Sequence, residues 1–167
     1  MNIRDIVLIS ILSASLTAGK LALSFIPNVE IVSLLFIVYT IVFGTKKSLF
    51  ISLVFSSTEI LMYGFSTWLI GYYIIWPLLI LLVSLIKKSF QSEYAYAFLG
   101  ALFGYSFGFF FAMFESIFYG LAYGWAYWLR GIPFDLIHGT SNFIIVLILF
   151  KPMVRLLERL KKEFYMI

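Results

Sequence analysis

Long apolar runs, each close to the thickness of a lipid bilayer, recur along the whole 167-residue chain and limit what it can fold into. A helix that crosses the hydrocarbon core needs about 20 mostly apolar residues. Six segments approach that pattern, at about 5–23, 30–43, 48–63, 68–86, 94–119 and 133–150. The second is short, which predicts a helix that is tilted or partly buried in protein. Composition agrees with a lipid solvent. Hydrophobic residues make up 63% of the chain and charged residues 12%, against roughly 25% charged in soluble domains. So little polar surface cannot cover a water-facing exterior. No strand alternation, linker or low-complexity stretch interrupts the pattern. The sequence therefore predicts one all-α integral membrane domain over 1–167.

The charges orient the expected spans, because Lys and Arg concentrate in cytoplasmic loops. Arg4, Lys46, Lys47, Lys87, Lys88, Lys151, Arg155, Arg159, Lys161 and Lys162 fall on one side of a six-span arrangement. Only Lys20 and Arg130 fall on the other. Six transmembrane helices with both termini cytoplasmic satisfy this asymmetry, and an odd number does not. The basic tail 151–167, with "KPMVRLLERLKKEF", reads as a short helix at the inner membrane surface. A cleaved signal peptide is the competing reading of the first run, which ends in the small residues "SASLTAG". Asp5 spoils its basic n-region, and cleavage leaves five spans.

Two segments carry faces of small residues. In the first, Ser10, Ala14, Ala18 and Ala22 are four apart and share one helix face. Inside lipid, a smooth face lets another helix approach closely, since packing drives association there. That helix belongs either to this chain or to a separate membrane subunit. In the fifth segment, Gly100, Gly104, Gly108, Ala112, Ser116 and Gly120 repeat the spacing among bulky aromatics. Close packing against a helix of the same chain is expected here.

Most of the unusual chemistry falls at the outer end of this topology. Three loops lie there: "LSFIPNVE", "GFSTW" and "GLAYGWAYWLRGI". Pro27 and Asn28 mark a turn, and Glu30 follows. Trp68, Tyr72 and Trp76 are four apart, with Pro77 beside them as a source of kinking. Trp and Tyr suit the headgroup layer, which accounts for part of this aromatic set, including Tyr123, Trp125, Tyr127 and Trp128. It does not account for Asp135, His138 and Asn142, spaced three and four apart on one helical face. Pro133 suits the first turn of that helix, and Arg130 lies just before it. Ionisable residues at membrane depth face a cavity or a partner. Glu59 and Glu115 are two further carboxylates of that kind. The polar set reads either as a binding site or as an internal clasp.

Several chemistries are disfavoured. No G-x-x-x-x-G-K-[ST] loop for ATP phosphates occurs. Without cysteine, and with His138 the only histidine, a resident metal is not expected. Ser141 lies three residues from His138 on the same helix, without the G-x-S-x-G elbow that presents a nucleophile. No enzymatic activity is expected, and no basic stripe is built for nucleic acid.

With these residues in view, the chain resembles the substrate-binding S components of energy-coupling-factor (ECF) transporters, which import vitamins and other micronutrients in prokaryotes. The resemblance covers nearly the whole chain. It rests on six short helices, on Ala14 and Ala18 within "ASLTA", which match the A-x-x-x-A pattern, and on "FIPNVEIVSLLFIVYTIVFG" joining the first two helices. "PNVE" is nearest to cobalamin-type members. The resemblance implies a multi-pass protein of the plasma membrane that docks through Ala14 and Ala18 onto an ECF module. That module comprises a transmembrane coupling subunit and two ATPases. It also implies an outward pocket holding Asn28, Glu30, Trp68, Tyr72, Trp76, Trp128, Arg130, Asp135, His138 and Asn142. Bound substrate is then delivered when ATP hydrolysis in the module topples the S component in the membrane. The competing reading is a stand-alone secondary transporter or channel with Glu59, Glu115, Asp135 and His138 as a proton relay. A third is a scaffold protein without transport.

Overall fold

The computed structural model describes residues 2–90 and 92–166, which form six helices and no strand. They are α1 (Ile3–Ala22), α2 (Val32–Val42), α3 (Thr45–Tyr63), α4 (Thr67–Ile86), α5 (Glu93–Tyr119) and α6 (Leu121–Met166). The expected boundaries hold within three residues for the first five. Local chemistry explains several of them. A reciprocal cap starts α1: the Asp5 N–H donates to Asn2 Oδ1 at 2.9 Å, and the Asn2 N–H donates to Asp5 Oδ2 at 3.4 Å. Ser66 accepts from the Leu69 N–H at the start of α4.

α6 departs from expectation. Of the segment 120–132, read as an outer loop, all but Gly120 is helical, and Pro133 lies inside the helix instead of starting it. The tail 151–167, read as a separate element, continues the same helix as far as Met166. The reason lies in the α5–α6 turn. Gly120 adopts φ 86°, a conformation open to glycine, and reverses the chain alone. Gly124 then sits against Ala112 and Ser116 of α5 with no room for a Cβ. α6 is thus docked from its first turn. At 46 residues it is roughly 70 Å long, far beyond the ~30 Å of a hydrocarbon core.

The glycine face of α5 packs within the chain, as expected. A Cβ added at Gly104 would lie 2.7 Å from Gly139 Cα, and one at Gly100 would lie 3.3 Å from Val146 Cγ2. The small face of α1 does the opposite. Ser10, Ala14, Ala18 and Ala22 are all exposed, while Leu8, Ile9, Leu12, Ser13, Leu16 and Thr17 form the buried side. Packing of that small face inside this chain is therefore excluded.

α2 is the core of the bundle. It touches all five other helices, and every residue from Val32 to Thr40 is buried. Its 11 residues span roughly 16 Å, about half a hydrocarbon core, so it is solvated by protein and not by lipid. Leu61, Leu85, Ile117 and Ile148 are instead strongly exposed, an apolar exterior suited to lipid. α1, α4 and α5 are long and apolar enough to cross a membrane.

Candidate functional site

Two adjoining cavities open at the end of the bundle where α1 and α3 finish and α2 and α4 begin. They measure about 410 and 290 Å³ and share Asn28, Trp68 and Phe107 as common wall. Three separate stretches build the cleft: the α1–α2 connection, the first turns of α4, and the α5–α6 pair.

The α1–α2 connection is tied down at several points. Asn28 adopts φ 61°, a left-handed conformation that asparagine tolerates better than most residues. Ser141 Oγ donates to its carbonyl at 3.0 Å, fastening the connection to α6. Glu30 follows. Its Oε2 accepts from the Ser33 N–H at 2.8 Å, capping α2, and its Oε1 lies 3.2 Å from His138 Nε2.

α4 supplies an aromatic wall. Trp68, Tyr72 and Trp76 lie on one face, with ring centroids 4.7 Å apart for the first pair and 5.3 Å for the second. Phe107 of α5 continues the wall, 5.9 Å from Trp76 and 4.8 Å from His138. Such offset and edge-on contacts hold the rings rigidly.

α6 supplies the polar groups. Asp135 is buried, and its Oδ1 accepts from the Gly108 N–H of α5 at 2.9 Å. A side chain at position 108 would collide with this carboxylate, since an added Cβ would lie 2.7 Å from Oδ1. The other oxygen, Oδ2, is buried with no hydrogen-bond partner among the described residues. Arg130 lines the same cavity and makes no ion pair with a described residue. In particular, it does not pair with Asp135.

The cleft thus gathers Asn28, Glu30, Trp68, Tyr72, Trp76, Arg130, Asp135 and His138. Two expected residues lie elsewhere. Trp128 packs edge-on to Phe109 at 5.5 Å and faces a different groove. Asn142 is buried below the cleft, where its Nδ2 donates to Ser33 Oγ at 3.2 Å. It joins α6 to α2 and does not line either cavity.

Sequence reasoning missed Lys20 as a cleft residue. Its ammonium pairs with Glu59 of α3 and lies 4.7 Å from the Tyr63 ring centroid and 5.3 Å from that of Tyr72. The signal was present: Lys20 is one of only two cations outside the basic side, and Glu59 is a membrane-depth carboxylate in need of a partner. Phe107, Phe111 and Tyr127 also line the cleft, but nothing set them apart among so many aromatics. Glu115 is buried with Thr67 Oγ1 donating to its two oxygens, at 2.8 and 3.0 Å. Among the described residues no three His, Asp or Glu side chains converge as metal ligands.

Aromatic walls with a few convergent polar groups are a combination that small-molecule sites commonly use. Comparison with family models, with curated proteins and with solved structures found no match to this chain.

Proposed function

We propose that this chain is the substrate-binding S component of an ECF-type transporter. In this reading it sits in the plasma membrane of a prokaryote as a six-helix domain, with both termini cytoplasmic. It captures a vitamin or related micronutrient from outside and delivers it by docking onto a coupling subunit driven by two ATPases. The observation that carries the reading is the cleft: separate stretches of chain bring aromatic walls and isolated polar groups to one end of the bundle. With Lys20 and Arg130 at this end and the other basic residues opposite, the charge rule makes it the outer one. The exposed Ala14 and Ala18 add support, since an unpartnered smooth face is what a reorienting helix contact needs.

A proton relay finds less support. Glu59 is bonded to Lys20 and Thr17, Glu115 to Thr67, Asp135 to Gly108 and His138 to Glu30. No hydrogen bond joins one of these four to another among the described residues. Reconstitution tests the proposal. The chain in proteoliposomes accumulates the ligand that co-purifies with it, identified by mass spectrometry, only when the ECF module and ATP are present. Uptake by the chain alone, abolished by a protonophore, overturns it.

A further inference from the structure

We infer that the larger cavity takes a planar, bipolar ligand, with a cationic N–H donor group at Asp135 and an anionic group at Arg130. This rests on the binding reading above and adds the ligand's charge layout to it. The first observation is Asp135 itself. It is 8% exposed, lines the cavity, and leaves Oδ2 unpartnered. Buried polar atoms are almost always hydrogen-bonded, and an orphaned one is destabilising. A structural carboxylate would have been paired, and a cation is at hand, for Arg130 lines the same cavity. That guanidinium nevertheless makes no ion pair with Asp135. Both residues line the same cavity, and neither spends its charge on the other.

Spacing and walls complete the layout. Residues 130 and 135 are offset by roughly 7.5 Å along a helix axis, about the length of one aromatic ring bearing a substituent at each end. The walls between them are the rings of Trp68, Phe107, Phe111 and Tyr127, which favour a flat π-system and attract a cation over their faces. Gly108 permits the fit at the acidic end, because any side chain there would displace the carboxylate.

The test uses the purified full chain in lipid nanodiscs and calorimetric titration with benzamidine, its neutral isostere benzamide, and 4-amidinobenzoate. The wild type is expected to bind benzamidine at least ~10-fold more tightly than benzamide, and 4-amidinobenzoate about 10-fold more tightly again. Asp135→Asn removes the preference for the cation, and Arg130→Gln removes the gain from the carboxylate. The wild-type comparison needs no variant, so a folding defect in either one does not blunt it. Equal affinity for benzamidine and benzamide, or no binding of any probe, overturns the inference. If a ligand still co-purifies in that case, the binding reading stands and only the charge layout falls.

Discussion

Lys20 and Glu59 show how one ion pair can be both a weak and an indispensable contact. Glu59 is completely buried, whereas Lys20 keeps 23% of its side chain exposed. Burying the carboxylate is unfavourable, and the ammonium offsets that penalty without much surplus. Lys20→Met leaves an uncompensated charge and is expected to destabilise by about 3–5 kcal/mol. Adding Glu59→Met should recover most of the loss. Melting curves of the two variants check this, and an additive double variant rules it out. Asn142 invites a different expectation. It shares a helical face with Asp135 but lies seven residues further on, roughly 10 Å deeper, and bonds Ser33 instead of lining the cleft. Asn142→Ala should therefore lower stability by about 1–3 kcal/mol and leave the affinity of the folded protein for its co-purified ligand unchanged. Tenfold weaker binding with an unchanged melt would return Asn142 to the site. Face is legible from spacing; depth is not, because it depends on where neighbouring helices end. Trp128 misled for a related reason. It precedes Asp135 by one heptad, yet its ring turns onto Phe109, away from the cleft.

At the level of elements, the apolar runs made five helices legible, and the glycine spacing of α5 made its close contact legible too. α6 was not, because Gly131 and Pro133 are ordinary breakers when read locally. The α5–α6 contact overrides them, and only tertiary packing reveals it. The same contact gives opposite expectations for two glycines. At Gly104 the nearest atoms to an added Cβ are backbone atoms of Gly139 and His138, at 2.7 to 2.9 Å. Backbone cannot rotate aside as a side chain can. Gly104→Leu is thus expected to destabilise by at least the ~1–3 kcal/mol typical of overpacking, seen as a lower melting temperature and poor yield. Gly131 has nothing within 4 Å of an added Cβ. There Gly131→Ala should stabilise α6 by about 0.5–1 kcal/mol, through the lower entropy of the unfolded chain. Matching melts for the two variants would contradict the close-packed hairpin.

For the whole molecule, the proposed function places binding and docking on separate surfaces. The cleft is built at one end of the bundle, and α1 reaches it only through Lys20 and the connection that follows. The small face of α1 looks away from the core along the helix, bordered by the exposed apolar residues Ile6, Val7, Ile11 and Leu21. The sequence left open whether that face served this chain or another; the exposure of Ala14 and Ala18 removes the first option. A face turned wholly to lipid has no need of regularly spaced small residues, since lipid tails adapt to any apolar side chain. A partner helix does need them, because its backbone can approach only where side chains are short. Ala14→Trp and Ala18→Trp should accordingly fold and bind ligand as the wild type does, each within about 0.5 kcal/mol. ATP-dependent uptake through the ECF module should be lost. Ile148→Trp is the control, since it places the same bulk on an exposed apolar position of α6, away from α1, and uptake should persist. Binding isotherms and uptake in the same proteoliposomes measure both halves. Undiminished uptake with Trp at position 14 or 18 would show that the face does not dock. Loss of ligand binding in those variants would show that the two surfaces are not separate.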